Sequence, residues 1–169
     1  MNKREMLNIS FLSICLLLVP VSIHAAEREE RWSEVLYFTA SSGLAIPGDE
    51  GRYVGVWEMR GVAQFGDDNV AKMRTGGTLD LRRGTGPYTG YVLYTFSDGS
   101  TKFGKIEGVI TKPMADGGNV QEGTLIYEGG SGRYTGIHGS GTFRARQYGP
   151  ASDGGETVID VVASFSLPK

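Results

Sequence analysis

Two stretches of this chain, 46 residues apart, repeat one another. "GTLDLRRGTGPYTG" (77–90) and "GTLIYEGGSGRYTG" (123–136) agree at eight of fourteen positions, and "GRYVG" (51–55) keeps their Gly-x-Tyr-x-Gly core. A phosphate-cradling loop occurs once, between a strand and a helix. Here the motif recurs, ends in neither GxGxxG nor Gly-Lys-Ser/Thr, and has no amphipathic helical pattern after it. The glycines therefore read as architecture, permitting bulges and sharp bends where strands turn corners. Tyr88, Tyr134 and Tyr53 are expected to pack over those bends.

Period-two alternation says what is being bent. In "TVIDVVASFSL" Thr157, Ile159, Val161, Ala163, Phe165 and Leu167 fall on one face, and Glu156, Asp160, Ser164 and Ser166 on the other. That is the pattern of a half-buried strand. Asp-Gly turns recur in "SDGS" (97–100), "ADGG" (115–118) and "SDGG" (152–155), the residue pair that tight hairpins favour. Strands are predicted at 35–46, 53–65, 70–82, 88–96, 101–111, 120–128, 136–146 and 156–167. Eight short-linked strands with one dry face predict an all-β chain: a single eight-stranded antiparallel β-barrel, closed so that no edge is left to aggregate.

The segment "GGSGRYTGIHGSGTF" (129–143) resembles the Gly-Thr-Gly-x-Phe-x-Gly-x-x-Gly segment near the C-terminus of dirigent proteins and allene oxide cyclases, with Ser131 and Tyr134 as conservative departures. "YTFSDGSTKFGKIEG" (94–108) is similar to the central hairpin of small bacterial barrels in that superfamily. The likeness covers about residues 76–146. It implies an eight-stranded antiparallel barrel around an apolar cavity, in a superfamily that includes cyclases and guides of phenolic radical coupling. No catalytic residue carries over with it.

The first residues read as an address. Lys3 and Arg4 precede "FLSICLLLVPVSI" and the small residues of "HAA", the layout of a secretory signal peptide. The expected organisation is a signal peptide over 1–25, a polar leader over 26–34 and the barrel over 35–169, with a periplasmic or secreted location and no stable membrane insertion after cleavage. Removing 1–25 takes away Cys15, the only cysteine, and leaves His138 as the single histidine. A cysteine nucleophile, a disulfide and a Cys/His zinc site are then excluded, and no metal is expected. Fifteen basic residues against eighteen acidic ones remain, with no basic run, which argues against nucleic acid as partner.

Alternation supplies candidate site residues. Tyr94 shares a face with Val92 and Phe96, and Tyr127 takes the place of the inward Leu81 in the repeat. Glu107 shares a face with Phe103, Lys105 and Val109, so it is either an inward carboxylate or half of a solvent-facing ion pair. Tyr94, Glu107 and Tyr127 are the candidate catalytic groups. Trp57, Phe103, Phe143 and Phe165 are the candidate ligand-binding walls. Mixing these rings with Gly123, Gly139, Gly141 and Ala163 predicts space at one end of the barrel. The expected function is binding of a small apolar or aromatic molecule in that cavity. The alternatives are a cofactor-free isomerase, cyclase or lyase using the same cavity, and an envelope protein acting through its barrel surface. Self-association is left open.

Overall fold

The computed structural model describes residues 27–66 and 69–168, so the signal-peptide segment and the Asp67–Asp68 pair lie outside the described residues. Eight strands follow in order: β1 (Arg28–Ala45), β2 (Arg52–Gln64), β3 (Val70–Arg82), β4 (Gly86–Phe96), β5 (Thr101–Pro113), β6 (Asn119–Ser131), β7 (His138–Tyr148) and β8 (Glu156–Ser166). Each pairs antiparallel with the next, and β1 pairs with β8 over Arg28–Tyr37, which closes the barrel. The chain is thus a single closed eight-stranded antiparallel β-barrel, the architecture expected from its alternation, turns and glycine segment.

The first strand starts seven residues before the expected boundary. Residues 28–34, read as a polar leader, belong to β1. Their alternation is intact: Trp32, Glu34 and Leu36 are buried, while Arg31, Ser33 and Tyr37 are exposed or nearly so. Glutamates at inward-facing positions concealed the strand.

Register fixes the width of the interior. The residue level with Glu34 can be followed around the barrel in both directions. Through β2 and β3 it meets β4 at Phe96; through β8, β7, β6 and β5 it meets β4 at Gly86. A stagger of ten residues over eight strands tilts them to the steep end of the usual range, roughly 35–45°, and widens the barrel beyond one staggered by eight. A fully filled interior is therefore not forced on this chain.

One end is nevertheless filled. At the base, where β1 begins, Trp32, Phe65, Phe96, Tyr127, Tyr134 and Phe165 are all buried and form one aromatic cluster. Trp32 and Phe65 stack with centroids 4.8 Å apart, and Phe96 and Tyr134 lie 4.9 Å apart. Offset and tilted ring pairs of this kind add to the stabilisation from burial alone. The other end carries the loops after β1, β3, β5 and β7 and remains open.

The two copies of the glycine repeat do different work. Residues 77–90 run out along β3, turn at the open end and return along β4; residues 123–136 run down β6 to the base and end in a 3-10 turn, Gly132–Tyr134. Two of the tyrosines keep a common role: the Tyr88 ring occupies the space a side chain at Gly108 would need, and Tyr53 does the same at Gly43, whereas only the Tyr134 backbone and Cβ lie against Gly130 and its ring packs in the base cluster. In the base turn Gly132 and Gly136 have φ of 60° and 74°. An added Cβ would run into Ser100 at Gly132 and would sit 2.6 Å from Pro168 at Gly136. Gly132→Val and Gly136→Val are each expected to lose about 2 kcal/mol or more, from the backbone conformation and the collision together. Thermal unfolding measures this; a variant melting with the wild type would contradict the corner reading.

Candidate functional site

Above the base cluster lies a cavity of about 450 Å³, reached from the open end. Its walls are mostly apolar, with Phe38, Trp57, Met59, Met73, Leu125 and Phe143 among them. A site of this size and lining accommodates one small molecule. Its strongest polar group is Glu34, which is 2% exposed.

Glu34 is held by two donors. Tyr94 donates its hydroxyl hydrogen to Glu34 Oε1 at 2.7 Å, and Trp32 donates its indole N–H to the same oxygen at 2.7 Å. Both rings are buried, and they meet edge to face at 6.1 Å. Burial pushes the Glu34 carboxyl up to about 7, while the two hydrogen bonds pull it down. Desolvation dominates because a charged carboxylate loses its water shell here and recovers only two donors. Burial, reinforced by the neighbouring Glu34, holds the Tyr94 phenol far above its ordinary range, so it stays protonated and keeps donating. Oε2 takes part in neither hydrogen bond. When Glu34 is neutral, its proton therefore belongs on Oε2. A carboxyl that changes state near neutral pH can both take and give a proton.

Beneath the cavity the base cluster encloses an ammonium. Lys102 is completely buried, and its Nζ lies 4.4 Å from the Phe65 ring centre, 4.6 Å from Tyr134 and 4.9 Å from Phe165, with Trp32, Phe96 and Tyr127 at 5.6–5.7 Å. Its ion-pair partner is Glu30, from the start of β1. Desolvation lowers the Lys102 pKa, and Glu30 acts against that shift. Ring faces and a carboxylate together replace the lost hydration.

The structure separates the expected site residues into three places. Trp57, Tyr94 and Phe143 line the cavity, with the Trp57 ring set edge-on to Tyr88 at 6.0 Å. Tyr127 and Phe165 point inward but belong to the base cluster, set edge to face at 6.0 Å. The Tyr127 hydroxyl has no hydrogen-bond partner among the described residues. Phe103 and Glu107 are on the outer face, contrary to the inward reading. Phe103 is 37% exposed and stacks on Tyr91 at 5.6 Å. Glu107 accepts from Lys105 Nζ at 2.6 Å in an exposed ion pair, which was the alternative reading of that carboxylate. It lines an outer-face groove beside Thr89 and Thr124. On β5 the inward positions are instead Lys102, Gly104, Ile106, Gly108 and Ile110.

Sequence reasoning missed Glu34, Trp32, Glu30 and Lys102. The alternation of β1 contains the first three, and the inward set on β5 follows from Ile106 and Ile110. The face of β5 that carries Phe103 is the outer one: this large apolar ring belongs to an exposed apolar patch with Tyr91, Leu93 and Ile126. Among the described residues no three His, Cys, Asp or Glu side chains converge as a metal site. No described helix is long and apolar enough to cross a membrane.

No family model matches the chain, and no curated protein matches it. Among solved structures it is similar to the pterocarpan synthase dirigent protein GePTS1, at 15% identity over 89% of this chain and 96% of that one, with a TM-score of 0.49. It is also similar to the pterocarpan synthase dirigent protein PsPTS1, at 15% identity over 84% of this chain and 97% of that one, with a TM-score of 0.45.

Proposed function

We propose that this chain is an exported barrel that binds a small apolar or aromatic molecule in its central cavity, with an oxygen of that molecule meeting Glu34. The observation that carries the reading is an apolar cavity of about 450 Å³ with a buried, ring-clamped carboxyl in its wall. Apolar walls supply affinity through burial, at roughly 25 cal/mol per Å², and one or a few fixed polar groups set orientation. Export rests on the leader sequence, and places the protein in the periplasm or outside the cell.

A second reading, a cofactor-free isomerase, cyclase or lyase, is favoured by the Glu34 pKa of about 7. In it Glu34 moves a proton on the bound molecule, Tyr94 and Trp32 fix the carboxyl, and the cavity holds the reactive conformer. Native mass spectrometry of protein isolated from its own host tests both readings. A noncovalent adduct of a few hundred daltons (order of magnitude, from the cavity class) is expected. If the adduct is a substrate or product, Glu34→Gln is expected to lose turnover while weakening binding only about fivefold. Protein that carries no adduct and takes up no apolar probe would remove both readings and favour an envelope protein acting through its outer surface.

A further inference from the structure

Two polar atoms in the cavity wall are unaccounted for. Thr75 Oγ1 and Thr157 Oγ1 are buried, line the cavity and have no hydrogen-bond partner among the described residues. Buried hydroxyls are rarely left so, and each calls for an explanation. Their positions supply one. Thr157 pairs across the sheet with Leu36, two residues beyond Glu34 on the same face of β1. Thr75 pairs with Val92, two residues from Tyr94 on the same face of β4. Each hydroxyl is thus the diagonal neighbour of one end of the Glu34–Tyr94 hydrogen bond, at a Cα spacing of about 7–8 Å. Leu36 lies nearer the open end than Glu34, and Val92 nearer than Tyr94, so both hydroxyls stand one step toward the mouth and flank the bonded pair.

We infer that Thr75, Thr157 and Glu34 form one oxygen-recognition floor, and that the ligand is an apolar body whose leading end carries at least two neighbouring neutral oxygens. This rests on the cavity-binding reading above and narrows it to a ligand class. A threonine hydroxyl offers one hydrogen and two lone pairs, so it serves a carbonyl or a hydroxyl equally. Nearer the mouth Asn119, Gln121 and Gln147 also line the cavity, but they hydrogen-bond to one another and to the Gly149 carbonyl, whereas the two threonine hydroxyls at the floor are unpaired, so the molecule enters polar end first. A purely hydrocarbon ligand would leave both threonine hydroxyls unpaired and is disfavoured for that reason.

Naphthalene, 2-naphthol and 2,3-dihydroxynaphthalene form a probe series with one apolar body and zero, one and two adjacent oxygens. Fluorescence titration of the protein with each probe is expected to show affinity rising by about fivefold per hydroxyl, the size of one buried hydrogen bond. Thr75→Val and Thr157→Val are each expected to weaken the diol by about fivefold and to leave naphthalene within about twofold. Thr75→Ser and Thr157→Ser keep the hydroxyl and should restore diol binding, which separates recognition from packing. Neither valine variant should lower the melting temperature, since no protein hydrogen bond is lost. If both valine variants bind the diol as the wild type does, the floor reading is overturned while cavity binding stands. If no probe binds saturably to the wild type, the cavity-binding reading itself falls, and this inference with it.

Discussion

Glu34→Gln is expected to make the barrel more stable at pH 8 and to leave it nearly unchanged at pH 4. The Glu34 pKa rises from 4.5 to about 7 on folding. Between those values the folded protein holds a proton that the unfolded chain has released. Unfolding then releases that proton, so raising the pH favours unfolding. The loss of stability begins near pH 4.5, accumulates to about pH 7 and is flat above. At 1.36 kcal/mol per unit, it amounts to about 3 kcal/mol. Glutamine does not titrate. Its amide oxygen can accept from Tyr94 and Trp32 as Oε1 does, and its amide nitrogen stands where the neutral acid carries its proton. The difference between variant and wild-type stability, measured by denaturant unfolding from pH 4 to 8, should therefore grow by about 3 kcal/mol. A difference that stays flat across this range would show that Glu34 does not titrate there.

Lys102 is expected to divide two substitutions that would be equivalent on a surface. Lys102→Ala removes the ammonium and the stem, leaving a void beneath six rings and a Glu30 without its partner. Emptying a packed site of this kind costs about 2–5 kcal/mol, a large part of the roughly 5–15 kcal/mol that holds a domain together. A fall in melting temperature of about 10 °C or more follows. Lys102→Met keeps a flexible stem and offers a sulfur to the rings. Glu30 retains partial access to water, so its charge can be solvated once the ammonium is gone. The methionine variant should melt much closer to the wild type. Equal losses in the two variants would mean that charge, rather than filling of the base, is what Lys102 contributes.

The architecture was legible because its signals are local and redundant. Alternation in β8 and Asp-Gly at three turns each specify antiparallel strands, and the turns are as read: Gly99, Gly117 and Gly154 take φ near 80°, and Asp98 and Asp116 accept backbone N–H groups two residues on. The site was less legible, because inside and outside differ there in the opposite sense to polarity. Glu34 and Lys102 are buried, whereas Phe103 and Tyr91 face solvent. Trp32 is a local partner of Glu34, but the partners Tyr94 for Glu34 and Glu30 for Lys102 come only from barrel closure, which brings β4 and β5 across from β1. Period alone separates the two faces of β5 correctly, but cannot say which of them is the interior. Tyr94 was found because its inward face is apolar on both sides; its carboxylate partner sits 60 residues away in sequence, where no local pattern points to it.

Equilibrium binding of 2-naphthol, with and without the cavity filled, is the most direct measurement. Ile106 is an inward-facing wall residue packed against the core, and Ile106→Trp puts an indole into the space while costing about 1–3 kcal/mol of stability from overpacking. Saturable one-to-one binding to the wild type, lost in a folded Ile106→Trp variant and weakened about fivefold in Glu34→Gln at pH 8, is the result expected of a ligand-binding barrel whose carboxyl meets the ligand's oxygen. Binding that survives the filled cavity, or no saturable binding to the wild type, would contradict it.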